Sequence, residues 1–595
     1  MTRALTIGMA GAGGDGIVSA GESLINAAAI EGYYAILTKS FGSQIRGGES
    51  SCRLRMSPEP IHNTGGLLDV AVALSWEDFL KFGAELPVGG STTVILDEAC
   101  GVDPAQLPIG GVRPAEVLVV PVSRMSRQSA GSEKAKNSVV LGLLAGWLGL
   151  GEAAIIGGLE RKLARKGTEV VEAARRAFAI GLEHARKAPL ARGQRMPPPS
   201  SNGKRLLVDG NDLCAAAALF AGCDFFGGYP ITPSSEIMQF LDRELWKHGG
   251  TVLQAEDEIA GIGAAVGASF AGKKAMTATS GPGMSLKTEI LGLATIAELP
   301  LVCVNVQRGG PSTGLPTKSE QADLLQAAFS AHGDVVRPVI APASVADVFA
   351  LTVEAFNIAE ELQTPVILLS DQDISQRKEV IDAIDTSVFR LKERRAPTPG
   401  ELERYDRFRL TDSCVSPLSH PGLAGGNYLA SGIEHGEHGA PSSSGSVHAQ
   451  MNEKRFRKID PLKLRRDLFD VLGEAGAPLG LVAGGRVAGV AREAVEMAAA
   501  EGLRAKLLVP KLLYPVAEDV YVEFFGSLRR GLVVEQSHQG QLYRLLRMFV
   551  DVPRGVVPCC RSGANPFTPL EILERLRSLA LDLQRSMAPE PEPAE

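Results

Sequence analysis

Residues 274–283 read K-A-M-T-A-T-S-G-P-G, and residues 301–314 read L-V-C-V-N-V-Q-R-G-G-P-S-T-G. In both stretches a short apolar run, typical of a buried strand, ends in a glycine-rich turn. Because the carboxyl ends of neighbouring parallel strands meet at one edge of a sheet, the two turns predict a crevice that binds a ligand. This region therefore predicts an α/β fold with a parallel sheet.

Strand-like and helical runs also alternate on both sides of this region, which predicts three α/β domains with doubly wound, mainly parallel sheets. The chain has 595 residues, a length that suggests about four domains, or three with long connections. The predicted parts are a first domain at 1–190, a Pro-rich linker at 191–205, a second domain at 206–389, an irregular crossover at 390–458, a third domain at 459–584 and a disordered acidic tail at 585–595.

The pattern also predicts individual elements. The strands are expected at 5–9, 70–74, 93–96, 117–122, 274–279, 301–306, 366–370, 479–483, 505–509 and 532–535, and helices at 344–362 and 487–501.

Composition excludes several classes of protein. The formal net charge of −7 gives no electrostatic reason to expect nucleic-acid binding. The eight cysteines contain no C-x-x-C pair, so the chain alone is not expected to hold an iron–sulfur cluster or a Cys-rich zinc site. The N-terminus lacks the pattern of a signal peptide, and the apolar run 138–151 has the length of a buried core helix. We therefore expect a cytoplasmic protein without a membrane span.

The histidines do not form a convincing metal site. Glu434-His435-Gly436-Glu437-His438, with His448 nearby, lies in a stretch rich in Gly and Ser. Such a composition is typical of a crossover segment, and we predict no metal bound by this chain.

Gly11-Ala12-Gly13-Gly14-Asp15-Gly16 has the G-x-G-x-x-G spacing of a dinucleotide site. A nicotinamide or flavin site also needs an acidic residue at the end of the second strand, where the chain reads Thr38-Lys39-Ser40. The alternative is a glycine turn that packs a helix on the sheet. Farther along, the polar loop 40–51 either presents Arg46 to an anion or is a solvated surface loop.

Two more motifs precede the glycine-rich turns of the second domain. In residues 227–236, G-G-Y-P-I-T-P-S-S-E, Thr232 is placed to cap a helix that begins at Pro233. Glu256, Asp257 and Glu258 open a helix with small residues on one face, and acids in a first turn often only complement the helix dipole.

The order Y-P-I-T-P, E-x4-G-x3-G, T-S-G-P-G, R-G-G-P-S-T-G resembles the pyrimidine-binding domain of thiamine-diphosphate-dependent 2-oxoacid:ferredoxin oxidoreductases. The chain is most similar to the α subunits of the 2-oxoglutarate subgroup with a γ domain fused in front. The resemblance assigns the first domain as γ-type, the second as pyrimidine-binding and the third as transketolase C-terminal-like.

The resemblance also implies site residues. A carboxyl group at the aminopyrimidine N1′ favours the imino tautomer that removes the thiazolium C2 proton. Three acids compete for this role, and the position of Gly267 favours Glu258. Thr232 and Arg308 are implied to be catalytic and to contact the 2-oxo-carboxylate end of the substrate. Further implied contacts are to the cofactor through Tyr229, Pro230, Ile231, Ser280 and Gly281, and to substrate or CoA through Ser312, Thr313, Arg46, Gly47 and Gly48.

A cofactor-binding motif of the family that is missing from this chain implies a partner subunit. The family binds the cofactor diphosphate and Mg²⁺ through G-D-G and a later Asn on its β subunit, whereas the G-D-G at 14–16 here has no suitable Asn behind it. The [4Fe-4S] cluster is also implied to lie on the β subunit. We therefore expect thiamine diphosphate to be shared with that subunit, in a dimer of αβ heterodimers.

The implied activity is oxidative decarboxylation of 2-oxoglutarate with CoA and ferredoxin, or the reverse, CO2-fixing carboxylation. The same chemistry on pyruvate, a branched-chain or an aryl 2-oxoacid is an alternative. An alternative of another class is a non-catalytic regulatory subunit that binds CoA or a nucleotide.

Overall fold

The structure is a computed structural model. It describes residues 4–42, 48–107, 109, 111–191, 195–199, 204–563 and 565–587. The chain divides into two units, Met1–Val208 with Arg377–Ile384 and Asp209–Gln376 with Asp385–Glu595.

Within the described residues, the strands are β1 (Leu5–Gly11), β2 (Tyr34–Phe41), β3 (Ser50–Ser57), β4 (Val70–Ala73), β5 (Thr93–Asp97), β6 (Glu116–Val120), β7 (Arg205–Val208), β8 (Phe225–Gly228), β9 (Thr251–Gln254), β10 (Ala275–Thr279), β11 (Leu301–Gln307), β12 (Val339–Ile340), β13 (Pro365–Asp371), β14 (Lys378–Asp382), β15 (Phe469–Gly473), β16 (Leu479–Ala483), β17 (Ala505–Pro510), β18 (Leu512–Tyr514), β19 (Arg530–Glu535) and β20 (Val556–Cys560).

The α-helices of the same residues are α1 (Ile17–Glu31), α2 (Trp76–Lys81), α3 (Val122–Ala130), α4 (Lys136–Leu148), α5 (Glu152–Leu163), α6 (Thr168–Lys187), α7 (Gly210–Phe220), α8 (Ser235–Glu244), α9 (Glu258–Phe270), α10 (Gly281–Ile296), α11 (Leu324–Phe329), α12 (Val345–Leu362), α13 (Gln372–Gln376), α14 (Pro399–Leu402), α15 (Gly445–Arg457), α16 (Arg486–Ala500), α17 (Glu518–Phe525), α18 (Gln541–Phe549) and α19 (Pro569–Met587).

The first unit is built on an eight-stranded sheet with the order β6-β5-β4-β1-β3-β2-β14-β7. The strands β1, β4, β5 and β6 pair in parallel, as the alternation of strands and helices predicted. The other side is antiparallel, because β2 and β3 form a hairpin and β14 returns to β2 from much later in the chain. The alternation of strands and helices does not predict this antiparallel side, because no helix separates the two strands of a hairpin.

The apolar run 138–151 forms most of α4, which packs tightly on α6. A Cβ on Gly142 would overlap the backbone of Phe178, and one on Gly181 would overlap the carbonyl of Val139. The two glycines therefore let the helix backbones touch, as in a close-packed core. Among the described residues, no helix is both long and apolar enough to cross a membrane.

The second unit contains two sheets. The seven-stranded sheet has the order β18-β12-β13-β11-β10-β8-β9, in which β12 to β9 are parallel neighbours, and the five-stranded sheet has the order β15-β17-β16-β19-β20. The domain limits remain a prediction. The structure adds that β14 and all but the first residue of β7, which fall within the range 206–389, belong to the sheet of the first unit. Strand β18, from the range of the predicted third domain, joins the seven-stranded sheet.

A buried ion cluster joins the crossover at 390–458 to the seven-stranded sheet. The Glu298 carboxylate, fully buried after α10, accepts hydrogen bonds from Lys454 Nζ at 2.6 Å and Lys458 Nζ at 2.8 Å. Arg407 donates to the Glu298 carbonyl oxygen at 2.6 Å. Burial alone would raise the pKa of Glu298, but the two ammonium groups outweigh burial and hold this pKa below its ordinary value. The contribution of the Glu298 charge is therefore present at neutral pH and is lost as the pH falls through that lowered pKa. Burial lowers the pKa of Lys458 to about 8, so the ion pair also weakens as the pH rises through that value.

Replacing Glu298 with glutamine should lower the free energy of unfolding at pH 7 by about 3–5 kcal/mol, because it leaves two lysines buried without their counter-charge. Urea denaturation followed by far-UV circular dichroism measures this change. The matched control is Glu453→Gln, which removes an exposed acid 3.8 Å from Arg457 and should change stability by less than about 0.5 kcal/mol. Equal stability of the two variants would contradict a stabilising role for the cluster.

Candidate active site

The two glycine-rich turns do meet at one edge of a parallel sheet. Strands β8, β10 and β11 are consecutive parallel neighbours, so their carboxyl ends lie side by side. Tyr229 follows β8, Ser280 follows β10 and Arg308 follows β11. This edge is where the sequence predicts a crevice that binds a ligand.

The structure separates the three competing acids. Glu256 is exposed, and Asp257 is the N-cap of α9, where its carboxylate accepts a hydrogen bond from the Ala260 N–H at 2.8 Å. Glu258 is the first residue of α9 and is only 7 % exposed. Within the described part of the chain, no hydrogen bond to its carboxylate is present. Glu258 is therefore the one of the three acids that is buried and available to a ligand.

The second glycine of the T-S-G-P-G turn makes room for this carboxylate. A Cβ on Gly283 would lie 2.8 Å from both Cγ and Oε1 of Glu258 and would overlap Thr279 Oγ1. Atoms this close cannot be accommodated without movement, so the Glu258 side chain lies directly against the start of α10. The turn therefore requires glycine here for close approach and not only for its backbone angles.

We expect Gly283→Ala to lower turnover at least about tenfold, because the new methyl group displaces the Glu258 carboxylate and each such displacement weakens proton transfer. Steady-state kinetics of the complex and titration of thiamine diphosphate measure the effect. Gly292→Ala in the same helix is the control, since its Cβ would meet only Val335 Cγ2 at 3.8 Å. Full activity of Gly283→Ala would show that the carboxylate need not lie at this position.

A buried lysine lies behind Glu258. Lys287 of α10 is fully buried and donates to the Glu258 carbonyl oxygen and to Thr277 Oγ1, both at 3.1 Å. Burial lowers the pKa of Lys287. The Lys287 amine thus holds the backbone of the first turn of α9. The sequence did not predict this role, because a lone lysine in a helix matches no motif.

Thr232 and Arg308 are in direct contact across the crevice. Arg308 is 7 % exposed and donates from Nη1 to the carbonyl oxygen of Thr232, whereas its Nε is buried without a partner among the described residues. Burial lowers the pKa of Arg308, and the charge of Asp323 opposes this shift. The prediction that Thr232 caps a helix starting at Pro233 is wrong, because α8 begins at Ser235. The exposed Thr232 side chain is thus not used as a cap.

Asp323 completes the group and was not predicted. Its Oδ2 accepts a hydrogen bond from Asn305 Nδ2 at 3.1 Å and lies 3.0 Å from the position of a Cβ on Gly281. Two carboxyl groups, those of Asp323 and Glu258, therefore lie against the two glycines of the S-G-P-G turn. No sequence motif points to Asp323, because it lies 15 residues after Arg308 in an irregular segment.

The remaining predicted site residues lie at the same edge or in the first unit. Tyr229 is 39 % exposed. Pro230 and Ile231 are half-buried, the Ser280 hydroxyl donates to the Val306 carbonyl oxygen at 2.8 Å, and Ser312 and Thr313 are exposed in the turn after β11. Gly48 belongs to the first unit, next to β3. Arg46 and Gly47 lie outside the described residues.

The Gly11–Gly16 turn of the first unit binds one of its own carboxylates. Asp15 Oδ2 accepts the N–H of Ala12 at 3.0 Å, and the same carboxylate pairs with Lys136. A Cβ on Gly21 of α1 would lie 2.8 Å from Cys52 Sγ on the sheet. These contacts favour a turn that packs α1 on the sheet over a dinucleotide site.

The histidines of the crossover have separate partners. His435 is buried with its ring 3.9 Å from that of Phe408, whereas His448 Nδ1 lies 2.6 Å from Glu434 Oε2 and His438 pairs with Asp406. In the described ranges, no group of three or more His, Cys, Asp or Glu side chains is arranged to hold a metal ion.

Two family models match the chain. The model described as "Pyruvate flavodoxin/ferredoxin oxidoreductase, thiamine diP-bdg" matches residues 216–453. The model described as "Pyruvate ferredoxin/flavodoxin oxidoreductase" matches residues 6–184. The chain thus carries a thiamine-diphosphate-binding domain that includes the crevice.

Whole proteins match as well. The 2-oxoglutarate synthase subunit KorA of Archaeoglobus fulgidus is 38% identical over 371 residues, which cover 62% of this chain and 96% of that protein. The 2-oxoglutarate oxidoreductase subunit KorA of Mycobacterium tuberculosis is 32% identical over 585 residues, which cover 91% of this chain and 87% of that protein.

A solved structure gives the same result. The 2-oxoglutarate:ferredoxin oxidoreductase from Magnetococcus marinus, with 2-oxoglutarate, coenzyme A and succinyl-CoA bound, is 35% identical, with a TM-score of 0.91 over 97% of this chain and 100% of that chain. The resemblance inferred from the motifs is confirmed, and the chain belongs to the family of 2-oxoacid:ferredoxin oxidoreductase subunits.

Proposed function

We propose that this chain is the α subunit of an enzyme that oxidatively decarboxylates 2-oxoglutarate to succinyl-CoA, with ferredoxin as the electron acceptor. The observation that carries the proposal is the buried, available carboxylate of Glu258 in a thiamine-diphosphate-binding domain. The names of the relatives favour 2-oxoglutarate as the substrate. The same site runs the reverse carboxylation when ferredoxin is sufficiently reduced.

The residues of the crevice fit the pyrimidine half of thiamine diphosphate. An aminopyrimidine needs a carboxyl group at N1′, and Glu258 offers one at the start of α9. When bound, thiamine diphosphate supplies a carbon nucleophile and an electron sink for decarboxylation. Glu258 holds the proton at N1′, and Lys287 keeps the backbone of Glu258 in place. Tyr229, Pro230, Ile231, Ser280 and Gly281 line the same strand ends and are assigned to cofactor contact.

Arg308 and Thr232 are assigned to the substrate. A guanidinium matches a carboxylate in geometry and charge, and the buried position of Arg308 strengthens such a pair. The contact from Arg308 to the Thr232 carbonyl orients the guanidinium. The Thr232 hydroxyl has no hydrogen-bond partner in the part of the chain that the structure describes, so it is able to face the substrate. Both residues therefore orient the 2-oxo-carboxylate end. Ser312 and Thr313, in the adjoining turn, are assigned to contact with substrate or CoA.

The rest of the active site is assigned to a β subunit. The chain has no C-x-x-C pair and no G-D-G motif with a following Asn, so Mg²⁺, the cofactor diphosphate and the [4Fe-4S] cluster are proposed to lie on that subunit. The physiological assembly is proposed to be a dimer of αβ heterodimers that reduces ferredoxin. The γ-type domain, with the segment Arg46 to Gly48, is proposed to contact CoA.

Pyruvate is the second candidate substrate, because both matching family models are named for pyruvate oxidoreductases. The catalytic constellation would be the same, since Arg308 meets the carboxylate that both 2-oxoacids share. Only the groups that meet the second carboxylate distinguish the two substrates.

The test is to co-express this chain with the β subunit and to measure CoA-dependent reduction of a viologen dye with 2-oxoglutarate and with pyruvate. Each chain alone serves as the control. We expect activity only in the complex, with kcat/KM at least about tenfold higher for 2-oxoglutarate than for pyruvate.

Preference for pyruvate would replace the substrate but keep the enzyme class. A complex that neither binds thiamine diphosphate nor uses a 2-oxoacid would contradict the proposal and favour a regulatory subunit that binds CoA or a nucleotide.

A further inference from the structure

Asp323 occupies the N-cap position of α11 but does not cap it. No side-chain hydrogen bond to the helix is formed, although Asp is among the residues that cap best. The carboxylate instead turns to the crevice, where Asn305 Nδ2 donates to it at 3.1 Å and Gly281 leaves room for it. The Asp323 N–H is held by Gln307 Oε1 at 3.0 Å. Two side chains of β11 therefore hold Asp323, one through its carboxylate and the other through its backbone N–H.

Two charged groups act on Asp323. Arg308, at the end of β11, attracts its negative charge, and Glu320, three residues earlier in the same segment, repels it. The attraction is reciprocal, since Asp323 also acts on Arg308. Asp323 and Arg308 form no direct ion pair among the described residues, so the guanidinium remains available to another carboxylate.

The ionised Asp323 carboxylate lowers the stability of the fold at neutral pH. Burial, assisted by Glu320, raises the pKa of Asp323 to about 6. Because this folded-state pKa lies above the ordinary value of 3.8, the folded state binds the proton more tightly, and stability falls as the pH rises from about 4 to about 6. A carboxyl group with a raised pKa at the strand ends that carry a predicted site is typical of a functional group.

We propose that Asp323 is a positioning residue that sets how strongly Arg308 holds the carboxylate of the 2-oxoacid, an inference that rests on the proposed function. When Asp323 is ionised, its charge attracts the guanidinium and repels the anionic substrate. When Asp323 is protonated, Arg308 meets the substrate carboxylate without this competition. The substrate therefore binds more tightly below the transition than above it.

The test is the KM for 2-oxoglutarate of the αβ complex between pH 5.5 and pH 8. For the unchanged chain we expect KM to rise about tenfold as Asp323 ionises, with a smaller change in kcat. Asp323→Asn should keep the low KM over the whole range, because its amide has nearly the same shape and no charge. It should also be at least as stable as the unchanged chain to urea at pH 7.5.

Glu320→Gln provides a matched perturbation that leaves both Asp323 and Arg308 in place. Since the charge of Glu320 raises the pKa of Asp323, its removal should move the rise in KM to lower pH. An unchanged pH profile of KM in Asp323→Asn would overturn the proposal. A merely structural role would change stability and kcat without flattening this profile.

Binding of glutarate separates this proposal from the proposed function. Glutarate keeps both carboxylates but lacks the reacting carbonyl group, so calorimetry reports the Asp323 effect without turnover. We expect its dissociation constant to rise with pH in the unchanged complex and to stay constant in Asp323→Asn. Glutarate binding that ignores pH in both would overturn the role of Asp323, whereas absence of turnover on any 2-oxoacid would contradict the proposed function.

Discussion

Replacing Glu258 with alanine should lower kcat of the αβ complex by at least about 10²-fold, because the carboxyl group that holds the proton at N1′ is lost. The change leaves a buried helix start without its side chain but breaks no hydrogen bond among the described residues, so the fold should persist. Viologen reduction under saturating thiamine diphosphate measures the loss, and circular dichroism checks the fold.

The exposed neighbour Glu256 provides the matched control for Glu258. Glu256→Ala removes an equal charge two residues away and should retain full activity, because this side chain faces solvent. The reverse result, an active Glu258→Ala and an inactive Glu256→Ala, would show that Glu256, and not Glu258, is the acid that contacts the cofactor. Glu258→Gln adds a second comparison, since it keeps the volume and removes only the ionisable group.

Replacing Arg308 with alanine should lower kcat/KM for 2-oxoglutarate by about 10²-fold, mainly through KM. A buried guanidinium–carboxylate pair contributes more binding free energy than an exposed pair, and here the substrate supplies the carboxylate. Arg308→Lys should recover only part of the loss, because an ammonium group cannot bind a carboxylate through two parallel hydrogen bonds.

The control for Arg308 is Arg243→Ala, which removes an exposed guanidinium on α8. It should leave KM unchanged. If Arg308→Ala lowered kcat but left KM unchanged, the guanidinium would act on the transition state alone and the assignment to ground-state substrate binding would be wrong.

The sequence predicted best the elements that are buried on both sides. The predicted strand at 479–483 is β16 (Leu479–Ala483), and the predicted helix at 344–362 is α12 (Val345–Leu362). Such segments carry their own apolar pattern, and their limits have local signals, such as Gly484 after β16 and the N-cap Ser344 before α12. The strands β3 and β14 carry charged residues such as Arg53, Arg55, Lys378 and Glu379, and so they gave no strand signal although they lie inside a sheet.

The site residues also divide into those that the sequence predicted and those that it did not. Thr232, Glu258 and Arg308 occur in motifs, and the structure brings all three to one edge of the sheet. Lys287 and Asp323 reach that edge only through the packing of α10 and the path of an irregular segment. Tertiary contacts of this kind are not encoded in local spacing, and they require coordinates.

The buried ion cluster limits where the chain can be cut. Lys454 and Lys458 lie one and five residues after residue 453, at which the thiamine-binding family model ends. A fragment designed on that limit would lose both partners of the Glu298 carboxylate. Its carboxylate would then need water in place of two ammonium groups, and the newly opened surface would include the apolar flank of Phe408. A recombinant pyrimidine domain should therefore extend at least to residue 458, and shorter fragments are expected to aggregate during expression.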